Sequence, residues 1–109
     1  MAETLGAFEQ AVLLAIVRLG DEAYGRAIHR AVADKLDRDV AAGAVHATLE
    51  RLEKKKLATS RLGEGGEERG GRSRRYYTVR PAGIVALNES KAALDSIWDQ
   101  LKWPLKSGA

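Results

Sequence analysis

A basic segment in the second half of the chain has the composition of a phosphate-binding surface. Residues 69–80 include five arginines and no acidic residue, and Tyr76 and Tyr77 lie among them. Arginines spaced along a short strand can form forked hydrogen bonds to phosphate oxygens. Charged segments also occur on protein surfaces without any ligand. The composition of this segment alone therefore does not distinguish a phosphate-binding surface from a solvated one.

The charge of the whole chain is distributed unevenly. Residues 1–49 contain 5 basic and 7 acidic residues, residues 50–80 contain 10 and 5, and residues 81–109 contain 3 and 3. The net charge of +3 therefore comes from the middle of the chain. This asymmetry indicates a polyanionic partner, although it does not distinguish DNA from RNA or a membrane surface.

The residue types argue against a catalytic or metal-binding role. The chain has no cysteine and only two histidines, His29 and His46, which fall on different predicted helices. Two such histidines make a poor set of metal ligands, and a capping or solvent-facing role suits His29 better. Local spacing suggests no pair of nucleophile and base. We expect no enzyme activity, no metal and no cofactor.

Length and hydropathy predict a single intracellular domain. At 109 residues the chain can build one hydrophobic core. Its apolar run from Ala11 to Val17 is far too short to span a membrane, and no secretory segment is evident. The absence of cysteine fits a reducing compartment, so we expect a cytoplasmic protein without a membrane partner.

The elements that position the basic segment begin with a helix from Ala7 to Leu19. Apolar residues recur there at helical spacing. Leu14 and Val17 widen the apolar stripe so far that we expect burial on most sides. Gly20 follows as the stop of this helix.

A second helix is predicted from about Tyr24 to Leu36. Asp21 and Glu22 suit its beginning, because acidic side chains stabilise a helix N-terminus. Ile28, Ala31 and Val32 face inward in this prediction.

The third predicted helix, from about Ala42 to Lys55, has two chemically different faces. The packing face is apolar and contains Val45, Leu49 and Leu52. The opposite face consists of Gly43, His46, Ala47, Glu50, Arg51 and Lys54. Small residues at its beginning would let the backbone approach a groove closely, and the basic residues at its end would contact phosphates. Alternatively, Glu50 and Lys54 can pair at i, i+4.

Two strands, Leu57–Leu62 and Arg72–Val79, are predicted on either side of the glycine-rich segment 64–71, which makes a hairpin. Pro81 then opens a last helix, which ends before Pro104.

The last helix carries a narrow apolar stripe. Leu87, Leu94 and Leu101 lie seven residues apart, which favours pairing with another helix.

This order of elements is that of a winged helix-turn-helix with a C-terminal dimerisation helix. The residues also resemble the PadR-like family of bacterial transcriptional regulators, over about residues 5–101. The motifs that carry the resemblance are Leu19-Gly20 with Tyr24-Gly25, Gly43-Ala44-Val45 with Ala47-Thr48-Leu49 and Arg51-Leu52-Glu53, Glu68-Arg69-Gly70-Gly71-Arg72, Arg74-Arg75-Tyr76-Tyr77, and Pro81-Ala82-Gly83. Their order and spacing are more specific than any one motif alone.

The resemblance implies a mainly helical α+β fold. A winged helix-turn-helix DNA-binding domain would occupy residues 1–80, a dimerisation helix residues 81–104, and a disordered tail residues 105–109. The residues implied to contact DNA are Tyr24, Gly25, Gly43, His46, Ala47, Thr48, Arg51, Lys54, Arg69, Arg72, Arg74 and Arg75. Those implied to form the dimer interface are Ile84, Leu87, Leu94, Trp98 and Leu101.

Three positions depart from the family pattern. His46 stands where a tyrosine is usual, Ala41 where a helix-capping serine is usual, and Lys56 where a glycine commonly ends the third helix. The lost cap should cost about 1 kcal/mol. His46 can still donate to a phosphate, more strongly when protonated, so we expect DNA affinity to rise on mild acidification between about pH 8 and 6.

The implied function is sequence-specific DNA binding, most directly by a homodimeric repressor on a dyad-symmetric operator of double-stranded DNA. Two alternatives stay open. In the first, Trp98 stacks on a small aromatic effector at the dimer interface, although core or dimer packing is favoured for this side chain. In the second, the winged helix binds an acidic protein, which would require a large apolar patch on the third helix.

Overall fold

The computed structural model describes residues 5–63 and 74–108. In those ranges the chain forms four α-helices and one two-stranded antiparallel sheet. The elements are α1 (Ala7–Leu19), a 3₁₀ turn (Gly20–Glu22), α2 (Gly25–Leu36), α3 (Ala42–Lys54), β1 (Ala58–Leu62), β2 (Arg75–Val79) and α4 (Pro81–Trp98). The predicted mainly helical winged helix-turn-helix is confirmed.

The hydrophobic core lies between the first three helices and the sheet. Its largest fully buried side chains are Leu13, Ile28, Leu49, Leu52, Val12, Val32 and Val45. Each such burial stabilises the fold by roughly 1.5–3 kcal/mol. The predicted inward faces of α2 and α3 are therefore confirmed, because these helices contribute five of the seven residues.

One face of α1 is less buried than predicted. Leu14 is 48% exposed and Val17 is 52% exposed, so the expectation of burial on most sides is wrong for them. Helix α1 packs against α2, α3, α4 and β2, and these contacts leave Leu14 and Val17 about half exposed.

The connection between α1 and α2 also differs from the prediction. Gly20 ends α1 as expected, with a φ of 56° and its amide donating to the carbonyl of Ile16. Asp21 and Glu22, however, lie in the 3₁₀ turn, and Tyr24 is the residue immediately before α2. The two acidic residues therefore do not begin α2.

The turn between α2 and α3 is held by a histidine. His29 Nε2 makes a hydrogen bond with the carbonyl oxygen of Val40, which joins α2 to the segment preceding α3.

The chain takes a left-handed backbone two residues after the end of α3. Lys56 has a φ of 63°, and its amide donates to the carbonyl oxygen of Glu53 at 2.9 Å. Residues with a Cβ are disfavoured in this backbone conformation, whereas glycine adopts it freely. This explains why glycine suits the position that Lys56 occupies.

The sheet is the base of the wing. Residues Ala58–Leu62 pair antiparallel with Arg75–Val79, in a register that places Arg61 opposite Tyr76. A further bridge joins Tyr76 to Tyr24, and the Tyr77 amide donates to the Ala23 carbonyl at 2.8 Å. The wing is therefore hydrogen-bonded to the segment that precedes α2.

Helix α4 leaves the sheet over a close backbone contact. A Cβ on Gly83 would lie 2.3 Å from the carbonyl oxygen of Leu57 and 2.6 Å from Val79 Cγ1, so only glycine fits. One helical turn later, Leu87 is only 8% exposed and belongs to the core. The prediction of Leu87 as a dimer contact is therefore corrected.

The last helix is shorter than predicted. It ends at Trp98, and Gln100 takes a φ of 65°. Leu101 therefore lies beyond the helical stripe, although it is exposed, and its place in the dimer interface stays a prediction. None of the helices within the described ranges is both long and apolar enough to cross a membrane.

Candidate nucleic-acid interface

The outward face of α3 is exposed as predicted. Gly43, His46, Ala47, Arg51 and Lys54 all lie on the surface. A Cβ added to Gly43 would meet no atom within 4 Å, so the backbone there is open to a close approach. The beginning of α2 is adjacent, because Gly25 and His46 line the same cavity of about 310 Å³.

Thr48 does not belong to this outward face. It is 2% exposed, and on the helical wheel it lies about 40° from Leu52, on the packing side. Its prediction as a direct DNA contact is therefore corrected. The Thr48 hydroxyl instead accepts a hydrogen bond from Arg51 Nη2 at 3.2 Å.

His46 has a partner on its own helix. Its Nε2 lies 2.8 Å from an oxygen of Glu50, and both side chains are largely exposed. The predicted pairing of Glu50 with Lys54 is thus replaced by a contact with His46 one turn earlier.

The C-terminal cations of α3 are bound by α1. Glu9 Oε2 accepts from Arg51 Nε at 3.2 Å and from Lys55 Nζ at 3.1 Å, although its side chain is only 12% exposed. Burial by itself would raise the pKa of Glu9. The hydrogen bonds from Lys55, the Gly6 amide and Arg51 outweigh that effect, so the pKa lies below its ordinary value.

Aromatic and arginine side chains alternate at the base of the wing. The Arg74 guanidinium lies 4.0 Å from the centre of the Tyr24 ring, and that of Arg61 lies 5.1 Å from the centre of the Tyr76 ring. The two tyrosine rings meet edge to face, with centroids 5.8 Å apart. These four residues, the wing stack, hold the wing against the beginning of α2 through cation–π and aromatic contacts.

Arg75 lies on the opposite face of the wing from Arg74, because successive strand residues point to opposite sides. Its Nη1 donates to Ser60 Oγ at 3.0 Å, and Ser60 Oγ donates to Glu53 on α3 at 2.9 Å. Nearby, burial raises the pKa of the Tyr77 phenol, with the negative charge of Glu53 adding to the effect. The two adjacent arginines therefore connect the wing to different helices.

Two of the predicted wing residues, Arg69 and Arg72, lie outside the described residues. Two residues of the site were missed from sequence, Glu9 and Arg61, and Tyr76 was noted in the basic segment without an assigned contact. The contacts of Glu9 are separated by 42 and 46 residues along the chain, so local spacing carries no signal for them. Arg61 lies on the first predicted strand, but its pairing with Tyr76 depends on a register that the long connection between the strands leaves open.

Helix α4 has one buried face and a separate set of exposed apolar residues. Gly83, Ala86, Leu87 and Ser90 pack within the chain. Farther along, Leu94 is 54% exposed and Trp98 is half-buried. Ile84, also predicted at the interface, is 41% exposed, and Ile97, which was not predicted, is 74% exposed.

Metal coordination finds no support in the parts of the chain that the structure describes. Among those residues, histidine and acidic side chains form no group of three or more that could hold a metal ion.

A winged helix-turn-helix whose third helix presents a polar, basic face defines a DNA-binding transcription regulator. The chain belongs to the PadR-like family of transcriptional regulators, whose family model matches residues 13–89. No curated protein sequence matches it significantly.

Solved structures show the same fold. A PadR family regulator from Eggerthella lenta is 29% identical with a TM-score of 0.64, covering 81% of this chain and 74% of its own. A PadR-like regulator from Bacillus cereus is 25% identical with a TM-score of 0.68, covering 84% of each chain. Bordetella bronchiseptica BpsR, whose DNA binding is regulated by 6-hydroxynicotinic acid, is 21% identical with a TM-score of 0.59, covering 92% of this chain and 70% of its own.

Proposed function

We propose that the protein is a homodimeric repressor that binds a dyad-symmetric operator in double-stranded DNA. The observation that carries this proposal is the outward face of α3. Small exposed residues, Gly43 and Ala47, begin that face, and Arg51 and Lys54 end it. The small residues would let the helix backbone enter the major groove, and the cations would contact base edges or phosphates.

The wing supplies the second contact in this proposal. Because the wing stack fixes the hairpin base beside α2, Arg74 and Tyr24 would meet the phosphate backbone together. Arg69 and Arg72 stay predictions for the same surface. Contacts of this kind position a protein on the duplex without selecting its sequence.

Dimerisation through α4 is supported by the change of burial along its apolar stripe. Leu87 packs within the chain, whereas Leu94, seven residues later, and Ile97 face solvent, and Ile84 is partly exposed as well. A second copy related by a two-fold axis would cover these side chains. It would also bring two α3 helices to half-sites roughly 34 Å apart.

The alternative of a protein-docking module is less well supported. The large exposed hydrophobic residues among those described are Leu14, Val17, Leu36, Leu62, Ile84, Val85, Leu94, Ile97, Leu101, Trp103 and Leu105. None of them is on α3. The face that would dock an acidic protein therefore lacks the apolar patch that such interfaces usually have at their centre.

The small aromatic effector predicted at Trp98 stays a prediction. Effector control of DNA binding, of the kind known for BpsR, would be tested by adding 6-hydroxynicotinic acid and other planar aromatic acids to the protein–DNA complex. Release of the DNA by one of them, absent in a Trp98→Ala variant that still dimerises, would support this role.

Fluorescence anisotropy tests the main proposal. The protein is titrated into the duplex upstream of its own gene and into a random duplex of equal length, across a salt series. Saturable preference for the upstream duplex is expected of a repressor that regulates its own gene. Equal, weak binding that fades with salt would show only a basic surface.

A further inference from the structure

We propose that Glu9 of α1 is a positioning residue for DNA recognition. It holds Arg51 and Lys55 at the end of α3, and so keeps these cations from adding to sequence-independent binding. This inference rests on the proposed function.

Glu9 is itself held in place. Its Oε1 accepts from the Gly6 amide at 3.3 Å, while Oε2 accepts from Arg51 and Lys55. Its side chain is only 12% exposed. Both carboxylate oxygens are therefore engaged, and the group cannot turn away from α3 without losing hydrogen bonds in a partly buried position.

Arg51 is oriented from two directions. Its Nε donates to Glu9 and its Nη2 donates to the buried hydroxyl of Thr48. Two of the five N–H donors of the guanidinium are thereby used, which leaves three for DNA. A guanidinium fixed in this way loses less side-chain entropy on binding, and the forked recognition of guanine requires such a fixed geometry.

The charge of Glu9 also acts against unselective binding. Sequence-independent affinity depends on how many phosphates the cations neutralise. Arg51 and Lys55 share one carboxylate, so their attraction to any polyanion is reduced. A groove contact can use the remaining donors of Arg51, whereas pulling both cations onto phosphates would leave the partly buried Glu9 carboxylate without its partners.

The test uses Glu9→Gln, which removes the charge but keeps the size of the side chain and an acceptor for Gly6. Asp95→Asn is the matched control, because it also removes one negative charge and loses the ion pair with Lys91, 2.6 Å away on α4. Anisotropy is measured with a duplex selected from a random library by the wild-type protein, and with a scrambled duplex of equal length, across a salt series.

We expect Glu9→Gln to bind the scrambled duplex several-fold more tightly, with a salt slope steeper by about one. Its ratio of selected to scrambled affinity should fall, while Asp95→Asn should leave that ratio unchanged. Thr48→Val should also lower the ratio, because it removes the second hydrogen bond that orients Arg51. In an Arg51→Ala, Lys55→Ala background, Glu9→Gln should have no effect on the ratio, because neither cation is left for Glu9 to hold.

The outcomes separate the two proposals. A wild-type protein that enriches no duplex from the library overturns the proposed function, and this inference with it. If the wild-type protein prefers the selected duplex, but Glu9→Gln and Asp95→Asn have the same ratio of selected to scrambled affinity, only the role of Glu9 is overturned. If Glu9→Gln also changes the ratio in the background that lacks Arg51 and Lys55, that result would likewise overturn the role of Glu9, since Glu9 would then act through the fold alone.

Discussion

The guanidinium of Arg74 lies 4.0 Å from the centre of the Tyr24 ring, so a wing residue is packed on the residue that precedes α2. Arg75, its neighbour in sequence, is instead connected through Ser60 to Glu53 on α3. The base of the wing thus contacts both the segment that precedes α2 and helix α3. The positions of Arg74 and Arg75 are therefore set before any DNA is bound.

Replacing either arginine should weaken binding without changing sequence preference. We expect Arg74→Ala and Arg75→Ala each to cost about 1–2 kcal/mol on every duplex and to reduce the salt slope by about one, because phosphate contacts carry no sequence information. Anisotropy against selected and scrambled duplexes measures both effects. Lys102→Ala, after the end of α4, controls for the loss of one charge. A loss confined to the selected duplex would show that the replaced arginine reads bases.

Gly43→Ala should make the folded protein more stable and its binding to the operator weaker. The added methyl group meets no protein atom within 4 Å, so helix propensity should raise the free energy of unfolding by about 0.5–1 kcal/mol. The same methyl group points to the proposed groove and should weaken operator binding. Thermal unfolding and anisotropy on the same preparation check the two effects. Unchanged operator affinity would mean that the backbone at Gly43 does not approach DNA closely.

Lys56→Gly should stabilise the fold, because Lys56 holds a left-handed backbone with a φ of 63°. Removing the Cβ relieves roughly 1–2 kcal/mol of strain, offset in part by the greater entropy that glycine gives the unfolded chain. Urea denaturation measures the difference. Lys54→Gly is the matched control, and it should be destabilising, since Lys54 lies within α3. If both variants lose stability, the conformation of Lys56 is not strained.

Leu87 and Leu94 should behave differently although they lie seven residues apart on one stripe. Leu87 is 8% exposed, so Leu87→Ala should lower the free energy of unfolding by about 2–5 kcal/mol at any protein concentration. Leu94 is 54% exposed, so Leu94→Asp should leave a folded protein that elutes as a monomer and binds operator poorly. Light scattering after gel filtration checks the mass. A Leu94→Asp variant that remains dimeric would place the interface elsewhere.

Acid should weaken the attachment of α1 to α3. The pKa of Glu9 is lowered in the folded protein, so its contribution is complete above the unfolded value of about 4.5 and is lost as the pH falls through the folded value. Urea denaturation should therefore show Glu9→Gln less stable than wild type at neutral pH and equal to it in strong acid. The exposed Asp95→Asn variant should differ little from wild type, because exposed ion pairs contribute little. A deficit in Glu9→Gln that is constant across this range would contradict the charge-based account.

The sequence predicted the helices well because their apolar spacing is regular and their ends carry strong signals. Gly20 ends α1 and Pro81 begins α4 as expected. Periodicity identifies apolar faces, but it does not say which of them the chain itself covers. Leu14 and Leu87 illustrate this limit, since one is exposed and the other is buried, contrary to prediction.

The candidate site was predictable only in its local part. The exposed face of α3 follows from a helical wheel, and the same wheel places Thr48 near Leu52, a signal that could have excluded it as a DNA contact. The link from Glu9 to Arg51 depends on how α1 crosses α3, which no local pattern contains. Likewise, the stacking of Arg74 on Tyr24 depends on the tertiary fold.

Gly83 has a consequence for the length of DNA that the protein can recognise. Because any Cβ there would collide with the Leu57 carbonyl and with Val79, the angle at which α4 leaves the wing is fixed by contact between backbones. In a dimer built on α4, that angle also sets how far apart the two copies of α3 stand. A buried residue without a side chain would therefore help to determine the number of base pairs between operator half-sites.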